Sequence, residues 1–331
     1  MGKDYVFATA RVRSVEKNLL TREKVEKMVD SKTPADALKV LYDSDYGYGG
    51  EPVREENFEE LLTEETKKTY EFVLSIAPDK EPFRLFQYPY DYHNLKTLMK
   101  AEFLGIDPMP LLMSNGSIEV NKMAVMVRER NFLSMTTDMK NAMLEVIDVF
   151  SRTNDPQIID LIFDKACYTE MAKLASAANN AFLRRYVGLL IDTINLKTFV
   201  RMREMGKTWD FFNKVFIPGG NVPEKLFVSG YDEAYEQFAE KLLPFGLNTA
   251  LAEGGAMVKD AGRFTMLEKL CDNMIIQFAR GAKHVTFGME PMAAYLIAKE
   301  NEIKTARIIM AGLLADLPRD TIKERLRETY V

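Results

Sequence analysis

Asp91 and Asn94 lie three residues apart, and the same pair recurs as Asp192 and Asn195. On a helix, positions i and i+3 share a face, so each pair sets a carboxylate beside an amide. Such a pair can hold a cation, move a proton or satisfy buried backbone groups. Glu302 with Thr305 forms a third, altered copy. Two roles stay open. One is three equivalent carboxylate sites; the other is acids and amides engaged by backbone groups or a cation where helices cross inside a repeat. Partly buried acids serve the second role more often.

Other chemistry is sparse. Histidine occurs only as His93 and His284, neither with a second His or Cys at metal-ligand spacing; this argues against zinc and against a Ser-His-Asp or Cys-His arrangement. Gly206-Lys207-Thr208 has the tail of a phosphate-binding loop, but Arg201 stands where that loop needs a glycine, and the segment follows a helix rather than a strand. The carboxylate pairs Glu55-Glu56, Glu59-Glu60 and Glu64-Glu65 read as a solvated helix face. No cofactor is expected.

The elements that must carry these residues are helices. Apolar residues recur at three- and four-residue spacing through most of the 331 residues, and no segment alternates convincingly as a strand. Helix starts are expected at Thr21, at Thr33-Pro34, around Thr63 to Glu65, at Asp155-Pro156 and at Pro318, each with an acid, a hydroxyl or a proline ahead of a periodic run. Leu19-Leu20 closes a first helix. Residues 43–50 form an acidic, aromatic, glycine-rich turn, and Gly254-Gly255 with Gly262 reads as a breaker or mobile loop. The 19 methionines fit core filling better than an adaptable docking surface.

Two turn-rich stretches, 105–117 and 217–223, divide the chain into thirds: 1–115, 116–220 and 221–331. They share a local form, Gly116-Ser117-Ile118 against Gly220-Asn221-Val222. The motif ahead of them repeats as well. Residues 91–97 match 192–198 at Asp, Asn, Leu, Lys and Thr, with Lys96 matching Lys197 and Gly105 matching Gly206. Leu95, Leu98 and Met99 correspond to Leu196, Phe199 and Val200, an apolar stripe on one helix face. In the third copy Arg307 stands for the lysine, and Ile309 and Met310 take up the stripe. Asp91 to Asp192 is an offset of 101 residues (192 − 91), too long for solenoid units of about 20–50 residues.

The net charge is −5, with Lys and Arg scattered, so there is no footprint for nucleic acid. Cys167 and Cys271, far apart within helical patterns, suggest free thiols in a reducing compartment. Residues 1–10 lack the apolar run of a signal peptide, and the most apolar stretch, 186–196, is short and closed by charges. A cytoplasmic location is expected, with membrane contact only through another protein.

The opening residues 5–13, with Glu16 and Leu19-Leu20, resemble the start of the C subunit of V/A-type ATPases, which is related to the d subunit of eukaryotic V-ATPases. The Asp-x-x-Tyr-Gly turn within residues 41–47 is similar to one in that family, and so are the Asp-x-x-Asn-Leu-Lys copies at Asp91 and Asp192. Residues 302–312 and 321–327 resemble its last helices. Thr305 and Ala306 depart from the family's Asn-Leu or Asn-Ile, which leaves the polar pairing of the third copy open.

The resemblance implies a non-catalytic part of the central stalk: an all-α funnel of three similar helical domains around a pseudo-threefold axis. Its base would rest on the cytoplasmic face of the proteolipid ring, and its open end would receive the shaft subunits of D and F type. Torque would pass between them during ATP-driven or ATP-synthesising proton or sodium transport. The alternatives are an unrelated cytosolic helical scaffold, which the 101-residue offset opposes, and a helical enzyme using Asp91 and Asp192.

Overall fold

In the computed structural model, residues 4–47 and 50–331 are described. Residues 1–3 of the expected signal-free start, and Tyr48 and Gly49 of the glycine-rich turn, lie outside them. Every regular element among the described residues is helical, as the periodicity predicts. The chain divides into two compact units, Met1–Asp79 with Asp232–Val331, and Lys80–Tyr231.

The first unit holds α1 (Val6–Glu16), α2 (Arg22–Val29), α3 (Pro34–Tyr42) and α4 (Phe58–Ile76). Its later stretch adds α12 (Tyr235–Leu242), α13 (Ala256–Ala261), α14 (Thr265–Arg280), α15 (Glu290–Leu314) and α16 (Arg319–Arg325). Thr21 and Thr33 cap α2 and α3 by accepting from Lys24 N–H and Asp36 N–H, and Pro34 opens α3. Helix α15 is the centre, packed by α1, α4 and α14. It is apolar on nearly all sides because it has neighbours on nearly all sides. Ile303, Ile309 and Met310 meet Met28, Leu41 and Leu62 from the first stretch. Each such side chain contributes about 1.5–3 kcal/mol on burial.

Three boundaries differ from expectation. Helix α4 begins at Phe58 rather than near Thr63, because Phe58, Leu61 and Leu62 are buried at helical spacing and packing carries the helix forward. Helix α1 closes at Glu16, leaving Leu19 and Leu20 buried in the connection to α2. Gly254 and Gly255 break nothing: they end a π-helical turn, Ala250–Gly255, that runs into α13. A Cβ on Gly254 would stand 2.6 Å from Leu267 Cα, so the glycine lets the backbone of α14 approach.

The second unit comprises α5 (Arg84–Leu104), α6 (Val120–Arg128), α7 (Thr137–Thr153), α8 (Pro156–Ala177), α9 (Ala181–Glu204), α10 (Trp209–Val215) and α11 (Glu224–Ser229). Along α5, Tyr92, Lys96 and Lys100 meet Glu170, Asp164 and Asp160 in turn, so α5 and α8 are antiparallel. The turn through Asn179 (φ 48°) reverses the chain again into α9, with Asn180 as its cap. Helices α5 and α9, which carry the first two motif copies, therefore run parallel on α8. Both are followed by a left-handed glycine, Gly105 and Gly206, each at φ 65°. No helix among the described residues is long and apolar enough to cross a membrane.

Candidate functional site

In α5, Asp91 is fully buried. Its Oδ2 accepts from Ser117 N–H (3.0 Å) and Ser117 hydroxyl (2.6 Å), and its Oδ1 from Ile118 N–H (3.1 Å). One turn on, Asn94 Nδ2 donates to Met113 carbonyl (2.8 Å) while Asn94 Oδ1 accepts from Met113 N–H (2.8 Å). The acid and the amide together pin the irregular segment that leads into α6. A methyl group on Gly116 would overlap Asp91 Oδ1, which explains the glycine of the shared Gly-x-aliphatic form.

The second copy repeats this arrangement on α9. Asp192 accepts from Val222 N–H (2.9 Å) and Asn221 Nδ2 (2.7 Å), and Asn195 exchanges two bonds with Ile217, donating to its carbonyl (2.8 Å) and accepting its N–H (3.0 Å). Gly220 lies against Asp192 as Gly116 lies against Asp91. The register is the same. Ile118 stands two residues before α6, and Val222 two residues before α11.

Glu302 on α15 also grips a residue two positions before a helix, but that residue is Leu20, ahead of α2 and 282 positions away in sequence. Its Oε2 accepts Leu20 N–H, while Oε1 accepts from Tyr46 hydroxyl (2.6 Å) and Lys299 Nζ (2.7 Å). Lys299 also pairs with Glu65 at 2.8 Å. Thr305 turns back to Asn301 carbonyl of its own helix (2.9 Å). Five residues before Ile118 and Val222 stand Met113 and Ile217, in irregular chain that needs an amide. Five before Leu20 stands Val15, whose carbonyl is already engaged at the end of α1. The departure to threonine therefore leaves nothing unsatisfied there.

The basic residues of the motif do not act alike. Lys96 bonds Asp164 across to α8, Lys197 is half-buried with no ion pair among the described residues, and Arg307 pairs with Glu59 on α4 at 2.8 Å. Both Arg307 and Glu59 are about half exposed, so solvent screens the pair. Arg307→Ala is expected to shift the urea unfolding free energy by less than about 0.5 kcal/mol. His93 lies half-buried on the surface of α5, with Nε2 3.2 Å from Leu111 carbonyl.

Burial pushes the Asp91 and Asp192 carboxyls up from the ordinary value, and the hydrogen bonds from the clamped segments pull only part of the way back. A carboxyl held high when folded takes its proton before the unfolded chain does. These two groups therefore favour the folded state as pH falls through that window, and the benefit is lost as pH rises through the folded pKa. Solvent does not reach either carboxylate, and the donors on them are the chain's own. The arrangement suits clamping a segment, not meeting a substrate. No cluster of His, Cys, Asp and Glu suited to a metal ion occurs among the described residues.

Sequence reasoning missed Tyr46 and Lys299, although the i, i+3 spacing of Lys299 and Glu302 was a usable signal, and it set Glu65 on a solvated face, whereas the Glu65 side chain is only 12% exposed and turns in to Lys299.

The sequence matches known proteins along nearly its whole length. The family model for the ATP synthase (C/AC39) subunit matches residues 8–325. The C subunit of the V-type sodium ATPase of Enterococcus hirae is 25% identical, over 96% of this chain and 97% of the relative. The C subunit of the A-type ATP synthase of Methanocaldococcus jannaschii is 22% identical, over 97% of this chain and 86% of the relative. Its counterpart in Methanosarcina acetivorans is 23% identical over 98% and 92%. The chain belongs to the ATP synthase (C/AC39) subunit family, the V/A-type ATPase family that its motifs resemble.

Proposed function

We propose that this chain is a non-catalytic part of the central stalk that couples the rotor shaft to the membrane proteolipid ring. Three helical domains, 1–115, 116–220 and 221–331, would form a funnel around a pseudo-threefold axis. Shaft subunits of D and F type would enter its open end, and its base would rest on the cytoplasmic face of the ring. Whether protons or sodium ions move is then set in the ring, and the chain itself needs no cofactor.

The observation that carries the proposal is the threefold recurrence of a clamp, an acid on a long helix fixing the entry of another helix, in a member of this family. Each clamp resists sliding of one helix against the next segment, which is what a body transmitting torque requires. The three relatives' names, one from a sodium ATPase and two from ATP synthases, fit a part that serves either direction of rotation.

The test is capture of shaft subunits, and separately of detergent-solubilised ring, by the tagged, folded protein across a salt series. Capture of both, weakening as salt rises, is the expected result for polar interfaces. A folded protein that captures neither overturns the coupling role.

A further inference from the structure

Residues 326–331 cross the first unit without helical structure, yet they are bound along most of their length. Glu328 N–H donates to Asn273 Oδ1 (2.8 Å), and Glu328 carbonyl accepts from Asn301 Nδ2 (2.9 Å). The Glu328 carboxylate takes Gln277 (3.0 Å) and Arg280 (2.7 Å), and Arg280 also donates to Thr329 carbonyl. Arg327 pairs with Asp272 at 2.9 Å. Tyr330 is only 3% exposed, its hydroxyl 3.3 Å from Glu16 of α1 and its ring 4.7 Å from Lys283 Nζ. Backbone bonds for register, with a buried aromatic and an acid paired to fixed donors, are how a groove holds an extended peptide.

Beneath this strap is a cavity of about 10 Å³ bounded by Leu20, Asn301, Glu302, Thr305, Thr329 and Tyr330. It adjoins the third clamp on the side of Thr305, the position where the first two copies carry an asparagine. In those copies a side chain of the clamping helix closes the joint. In the third, that wall is made by Thr329 and Tyr330.

We infer that α14, α15 and α1 form a peptide-binding groove, filled in cis by residues 326–331, and that the third clamp stays shut only while the groove is filled. The first two joints are closed by their own helices; the third is closed by a segment that can leave. The Arg280–Glu328 pair, about one-third exposed on both sides, makes the hold sensitive to salt. The inference does not depend on the coupling role.

Hydrogen exchange on the full chain tests it. With Glu328→Ala and Tyr330→Ala together, the Leu20 amide is expected to exchange at least about tenfold faster, while the Ile118 and Val222 amides of the other two clamps stay within about twofold. In a chain ending at Arg325, the peptide Leu-Arg-Glu-Thr-Tyr-Val added in trans should restore slow exchange at Leu20, and the same peptide with alanine for tyrosine should not. Unchanged Leu20 exchange in the double variant overturns the inference, as does equal acceleration at all three clamps. Equal rescue by the two peptides would do so too. If the shortened chain fails to fold, the double variant decides alone.

Discussion

Lys299→Met is expected to lower the unfolding free energy by about 3–5 kcal/mol, the usual cost of removing one partner from a buried ion pair. Lys299 is 3% exposed, with its ammonium 2.7 Å from Glu302, 2.8 Å from Glu65 and 4.2 Å from the centre of the Tyr46 ring. Methionine fills nearly the same volume, so the loss reports charge rather than a cavity. Without the cation, two carboxylates face each other in a site that is largely closed to water. Burial alone would lower the Lys299 pKa, but Glu302 and Glu65 outweigh it and hold the group well above its ordinary value. The folded pKa thus exceeds the unfolded one of about 10.4, and the contribution is fully present below that value. It fades only as pH climbs above it. Urea unfolding at pH 7.5 and 9, where the carboxylates stay ionised, should therefore show the same loss at both. A loss below about 1 kcal/mol would mean that the carboxylates find other partners, and would remove the charged network from the account of the third clamp.

Asn195→Leu is the second large effect. The side chain is fully buried and serves both backbone groups of Ile217, itself 3% exposed. Each orphaned buried group costs about 1–3 kcal/mol, so for the two groups a loss of about 2–6 kcal/mol is expected. Asn94→Leu provides the control, because its partner Met113 is 42% exposed and water can replace the lost bonds. The Asn94 variant should lose less than half as much in the same urea titration. Equal losses would mean that the two copies are not clamps of one kind differing in solvent access.

Much of this was legible because it is local. The i, i+3 spacing of acid and amide announces one helix face, and the recurrence of Gly116-Ser117-Ile118 as Gly220-Asn221-Val222 marked the segments that those acids hold. The helices were readable from period and caps, and the missed starts, such as Phe58, are places where tertiary burial lengthens a helix beyond its local signal. The third copy was legible only as a motif. Leu20 and Tyr46, which bond Glu302, and Glu65, which pairs with Lys299, come from the first 79 residues, and no pattern within a window could join them to α15. Thr305 looked like a defect in a repeat. It is tolerated because the matching backbone position, Val15, sits inside a helix.

The first unit is also discontinuous, and this bears on how the protein is made. Helices α1 to α4 leave the ribosome with Met28, Leu41 and Leu62 already presented, but α15, which covers them, follows only after the whole of Lys80–Tyr231. From residue 79 to Glu302 is 223 residues (302 − 79), or about 11–45 seconds at cellular translation rates of about 5–20 residues per second. Through that interval the second unit, contiguous in sequence, is synthesised whole, while the apolar face that Met28, Leu41 and Leu62 share still lacks its cover from α15. Among the three clamps the Glu302–Leu20 joint closes the longest loop, and its closure carries the largest chain-entropy cost.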